Sequence, residues 1–164
     1  MAKRNHDRAE HIGTRHLEAP SLVEVSGVDV LRWRPVDVDG LPADWRLYAP
    51  LVRRVLMTGE GSYNERDVLL ALLAGQWRLW AYVVKVEEPA SICITEIVNF
   101  PRQRKCLVRY IAGEWQHFGK YLKLMETYAR GEGCNRIEAY MRKGLGRMLP
   151  PDWTVRHVLM VKEL

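Results

Sequence analysis

The sequence predicts an α/β domain built on a mixed sheet, in which an antiparallel meander passes into a parallel βαβ unit with helices on both faces. Three observations predict it. Apolar residues recur at helical spacing in three stretches, near 44–57, 62–75 and 114–130. Three strand-like runs, at 76–85, 91–100 and 105–112, lie between the second and third stretches and are joined by short polar turns. The first of these runs is apolar on both faces, as a strand inside a sheet covered on both sides must be.

A chain of 164 residues suits one domain. At this length folding buries roughly 70% of the unfolded surface, so the core needs no disulfide or metal. Cys93, Cys106 and Cys134 are odd in number, widely spaced and without a CxxC, which argues against a disulfide framework or a zinc knuckle. Each lies in or beside a strand-like run and reads as a buried free thiol. The net charge of +5 suits an anionic partner, such as a phosphate-bearing ligand, nucleic acid or an acidic protein surface, without choosing among them. No run approaches the roughly 18 apolar residues of a membrane span, and the first twenty residues lack the apolar core of a signal peptide. The expected location is cytoplasmic, not secreted.

Residues 1–20 are polar and mixed in sign, and read as a flexible arm ahead of a single domain at 21–164. His6, His11 and His16 fall five apart, which puts no two on one helix face and gives no metal site. Residues 21–34 alternate around Gly27 as one or two short strands, and 35–44 form a loop rich in Pro, Asp and Gly. The first helix, 44–57, carries the stripe Tyr48, Leu51, Val52, Val55 and Leu56, with Pro50 early, where a missing N–H costs least. The second opens on the capping box Ser62-x-x-Glu65, runs through a broad apolar stretch at 68–73 that predicts burial on several sides, and stops at Gly75. In the strand at 76–85, Trp77, Leu79, Ala81 and Val83 share one face. Trp80, Tyr82 and Val84 share the other with Arg78. Glu87-Glu88-Pro89 and 101–104 are the turns. The third helix carries Trp115, Phe118, Leu122, Met125 and Ala129 on one stripe, with Tyr121, Leu124 and Tyr128 beside it. A strand at 134–141, a short helix at 142–148 before Pro150-Pro151, and a last strand at 154–162 complete the order. Most of the six tryptophans should be core.

The strand KCLVRYIAG leads into a helix ending METYARGEGCNRIEAY, with an A-x-x-x-G-C pattern ahead of the next strand, and MRKGLGRMLP follows. Together with the element order, this resembles the Gcn5-related N-acetyltransferase (GNAT) fold over about residues 45–164. The resemblance implies acetyl-CoA as cofactor, with its diphosphate on backbone N–H groups between the fourth strand and the next helix. That loop maps to Ile111, Gly113, Glu114, Trp115, Gln116 and His117. Only Gly113 and Gly119 are glycine there, Glu114 adds a negative charge, and Trp115 and Phe118 are bulky. The catalytic positions implied are Glu96 as base, flanked by Ile94, Ile97 and Val98, and Tyr140 as acid.

More narrowly, ITEIVNFPRQRKCLVRYIAG followed by Trp115 and ARGEGC is similar to small GNAT-like proteins encoded by bacteriophages, of the internal virion or assembly type of T7-like phages. That implies a structural role through protein–protein contacts, with residues 1–20 and exposed aromatics against neighbouring chains and incorporation into a virion. This is the first expectation. An active acetyl-CoA-dependent N-acetyltransferase on a small amine or a protein amine is the alternative. A nucleic-acid accessory domain, using Arg102, Arg104, Lys105 and Arg109, is third.

Overall fold

The computed structural model describes residues 32–58, 61–85, 88–114, 116, 118–141, 144–156 and 162. The arm expected at 1–20 and most of the strand expected at 21–34 lie outside the described residues. Among the described residues, five strands form one sheet in sequence order: β1 (Arg32–Pro35), β2 (Trp77–Lys85), β3 (Glu88–Phe100), β4 (Gln103–Gly113) and β5 (Arg136–Ala139). The first four pair antiparallel, and β4 pairs with β5 in parallel. The predicted meander and βαβ unit are therefore present, with α3 (Phe118–Gly131) as the crossover.

The two-sided character of β2 sets the layering. Trp77, Leu79 and Ala81 join Ile92, Ile94 and Ala112 under α1 (Leu41–Leu56) and α2 (Glu65–Leu73). Trp80 and Tyr82 join Cys93, Cys106 and Val108 under Phe118, Tyr121, Met125 and Ala129 of α3. Each large apolar side chain so buried contributes roughly 1.5–3 kcal/mol. Trp80 also keeps its indole N–H satisfied, donating at 2.9 Å to the buried Thr95 hydroxyl.

Several boundaries differ from the sequence reading, each for a local reason. Helix α1 starts at Leu41, with Pro42 in its first turn, which leaves Pro50 inside the helix. Pro50 is exposed, so the carbonyl it leaves without a helical donor faces water. Helix α2 is capped by Asn64, not Ser62. The Asn64 side chain accepts from the Asp67 N–H while Asp67 accepts from the Asn64 N–H, the predicted reciprocal cap moved two residues along. Glu65, freed from that role, accepts the Trp45 indole N–H at 2.9 Å and pairs with Arg53 at 2.6 Å, tying α2 to α1. The apolar run of α2 is buried on one side only. Val68 and Leu72 are in the core, whereas Leu70 is 53% exposed. The turn expected at Glu88 and Pro89 is instead the start of β3, and Pro101-Arg102 alone make the next turn. The short helix is one 3-10 turn, Leu145–Met148. Of the strand expected at 154–162, residues 154–156 are irregular and most of the rest lies outside the described residues.

Gly113 closes β4 opposite Ser91 of β3. Its φ is +114°, and a Cβ there would come within 2.4 Å of Ser91 Cα and the Ala90 carbonyl oxygen. Both the backbone angle and the close approach demand glycine. Gly113→Ala is expected to destabilise the fold by roughly 2–4 kcal/mol, read as a lowered urea midpoint at unchanged slope.

Burial pushes the Cys106 thiol up to about 12 and raises that of Cys93, onto which the Tyr121 hydroxyl donates. Both thiols are thus protonated in the folded chain, whereas unfolded cysteine ionises near about 8.5. Stability is therefore fully present below that value and falls as pH rises towards the folded values. For the two thiols the loss between pH 8 and 10 is roughly 4 kcal/mol. Urea titrations at the two pH values check it, and replacing both cysteines with Ala should flatten the dependence.

Candidate functional site

The site begins with an irregularity in the β3–β4 ladder. Ile94 pairs with Tyr110, but Thr95 pairs with Val108, so Arg109 is an extra residue bulged out of β4. Side chains alternate along a regular strand, but a bulge puts two neighbours on one side. Val108 and Ile111 therefore pack on the α3 face, while Arg109 and Tyr110 both face α1 and α2. The parallel pairing of β4 with β5 runs from Lys105–Arg136 to Val108–Ala139 and ends where the bulge begins. Beyond it, the β5-side edge of Arg109–Gly113 has no strand partner among the described residues. That leaves about 16 Å of backbone donors and acceptors along one edge.

On the α2 side the bulge opens into a pocket of about 400 Å³, whose lining includes Tyr63, Asp67, Leu70, Trp77, Glu96 and Arg109. Glu96 stands opposite Trp77 on β2, which fixes both on this face. Arg109 Nε donates to Glu96 Oε2 at 2.6 Å, and Nη2 contacts the same oxygen. The guanidinium carbon lies 5.1 Å from the Trp77 ring and 5.9 Å from the Tyr63 ring. Two aromatic faces and one carboxylate oxygen thus cage a cation. The other oxygen, Glu96 Oε1, makes no hydrogen bond to any described residue. Asp67 has no ion-pair partner among the described residues, and its Oδ2 accepts the Asn64 N–H at 2.9 Å.

The residues mapped to the cofactor loop fall into several groups. Ile111 packs in the α3-side core, and Gly113 is fixed by its approach to Ser91. The Glu114 N–H is spent on Ser91 Oγ at 3.0 Å, and the Gln116 amide donates to the Glu114 carboxylate. Trp115 and His117 lie outside the described residues. Phe118 is buried against Trp33 of β1 and Tyr121, so its bulk belongs to the core. Of the catalytic candidates, Glu96 lines the pocket. Tyr140 is 76% exposed, one residue past β5, with the width of β4 between the two. The structure brings no contact between them among the described residues.

The basic cluster is dispersed. Arg104 pairs with Glu132, Lys105 with Glu138 and Arg109 with Glu96, while Arg102 sits in the exposed turn. Lys105, which donates to Glu138, and Arg136 together lower the pKa of that carboxyl. The sequence reading missed Asp67, Tyr63 and the role of Arg109. Trp77 and Glu96 were placed on their strands, but nothing in a single sequence marks the bulge that gathers them. No group of three or more potential ligands is placed to hold a metal ion, and no helix is long and apolar enough to cross a membrane, among the described residues.

No protein-family model and no curated protein sequence matches the chain. Solved structures do. An aminoglycoside acetyltransferase from an uncultured soil metagenomic sample, solved with sisomicin, superposes with a TM-score of 0.61 at 12% identity, over 81% of this chain and 95% of that one. Glucosamine-6-phosphate N-acetyltransferase from Arabidopsis thaliana gives 0.58 at 11% identity, over 80% and 97%. A predicted acetyltransferase from Clostridium acetobutylicum, solved with acetyl-CoA, gives 0.52 at 12% identity, over 77% and 95%. At these identities the likeness concerns the fold, and the chain has the GNAT acetyltransferase fold.

Proposed function

We propose that the chain is an acetyl-CoA-dependent N-acyltransferase acting on a primary amine. The observation that carries this reading is the junction at Arg109, where β4 runs on past its last partner among the described residues and a pocket lined by Glu96 opens. An extended ligand with amides of its own adds to such an edge as a strand would. The backbone of Tyr110–Ala112 would hold the pantetheine arm of acetyl-CoA in this way, and the backbone N–H groups of the first turn of α3 would take its diphosphate. Bound there, acetyl-CoA supplies an activated thioester. On the chain's side, Glu96 Oε1 takes the proton released as the amine nitrogen bonds the acyl carbon and the C–S bond breaks. Arg109 holds Glu96 by its other oxygen and so sets the direction of Oε1.

The neighbours named above support this reading over the assembly role, since two of them are named for acetylating amine-bearing sugars. The assembly reading rests on residues 1–20, outside the described residues, and on the loop's shortage of glycines. Glu114 is the residue that most weakens the diphosphate site, because its charge stands just ahead of the helix N-terminus.

Calorimetric titration with acetyl-CoA tests the reading. Saturable binding is expected, and Glu114→Gln should tighten it about two- to five-fold by removing a surface charge worth 0.3–1 kcal/mol. No binding at millimolar cofactor would discard the acyltransferase and return the assembly role to first place. In a turnover assay Glu96→Gln should lower kcat by roughly a hundred-fold or more while leaving acetyl-CoA affinity unchanged.

A further inference from the structure

We infer that the pocket beside Arg109 selects an organic ammonium carrying a flat or apolar body, and rejects neutral and anionic molecules of the same shape. The inference deepens the acyltransferase reading by naming its acceptor class, and rests on that reading only for the acceptor role. The pocket walls carry two carboxylates, Asp67 and Glu96, against one guanidinium. Arg109 is already committed to Glu96 Oε2, which leaves Asp67 and Glu96 Oε1 as the anionic groups for an incoming ligand, beside the neutral Gln76. A carboxylate ligand would meet both and be repelled, while an ammonium has three donors to place on them.

The cage itself shows what this wall accepts. The guanidinium of Arg109 lies against both Trp77 and Tyr63, so these rings already serve as a platform for a cation. Tyr63 packs edge-on to Trp77 with ring centres 5.1 Å apart, which stiffens the platform. The remaining wall is Gln76 and three apolar residues. Leu70 comes from the exposed side of α2, Ala71 from beside the core, and Ala74 is the residue that caps the helix C-terminus. A pocket of about 400 Å³ falls within the roughly 300–1,000 Å³ of small-molecule sites. A short amine with an aromatic or aliphatic body would set its charge on Asp67 and Glu96 and its body on α2.

Three probes of matched size separate charge from shape: 2-phenylethylammonium, 2-phenylethanol and 3-phenylpropionate, titrated calorimetrically into the full chain without cofactor. The ammonium is expected to bind at least ten-fold more tightly than either of the others. Asp67→Asn and Tyr63→Ala should each weaken it about three- to ten-fold. Asp67 also caps α2, so Glu96→Gln, which keeps the side chain's shape and lies outside that helix, serves as a second charge variant with the same expected loss. Equal or tighter binding of the alcohol or the acid, or binding of none of the three, overturns the inference. If acetyl-CoA binds but the ammonium is not preferred, the acceptor assignment falls and the acyltransferase stands. If the ammonium is preferred but acetyl-CoA does not bind, the acyltransferase falls and the amine site stands.

Discussion

The arrangement of this molecule depends on a single inserted residue. Without the bulge at Arg109, strict alternation would carry Tyr110 and Ala112 to the α3 face and Ile111 to the face of α1 and α2, exchanging residues between the two cores. With it, both halves of β4 keep their apolar sides in register with β3. The extra residue also increases local twist, and the parallel ladder to β5 stops at the same place. The open edge and the pocket are thus two consequences of one departure from regular pairing.

Much of the fold was legible because it is written in periodicities. The double-sided pattern of β2 foretold a sheet covered on both faces, and Trp77 and Trp80 do lie in opposite cores. Helix ends were less legible because neighbouring residues compete for one role. Ser62 and Asn64 both have capping side chains, and Asn64 prevailed with Asp67 as its partner while Glu65 turned to Trp45 and Arg53. The apolar breadth of α2 misled for a related reason. A run such as Leu69-Leu70 gives no sign of which member the core will leave uncovered, and the uncovered side became a wall of the pocket.

The site was legible in part. Glu96 could be placed on its strand and proposed as a base, but its partner could not be read. Arg109 appeared in the sequence as one member of a basic cluster, and the chain folds that cluster into three separate ion pairs. The glycine of the loop shows the same limit from the other direction. Gly113 reads as a relic of a diphosphate loop, yet its φ of +114° and its approach to Ser91 would require glycine whether or not a diphosphate ever binds. Its presence therefore neither supports nor weakens cofactor binding, and the weight moves to Glu114 and the α3 N-terminus.

The Glu96–Arg109 pair bears on the choice between enzyme and scaffold. Both side chains are more than two-thirds shielded from solvent. Removing water from two charges costs much of what their attraction returns, so an apolar pair of similar size would hold this corner about as well. A fold kept only for docking has little need for such a pair in the lining of a pocket. A site that must hold a carboxylate oxygen in a fixed direction does need it, because the guanidinium grips one oxygen and leaves the other without a hydrogen bond to any described residue. The pair therefore adds little to the stability of the sheet beneath it, and suits the amine site proposed above.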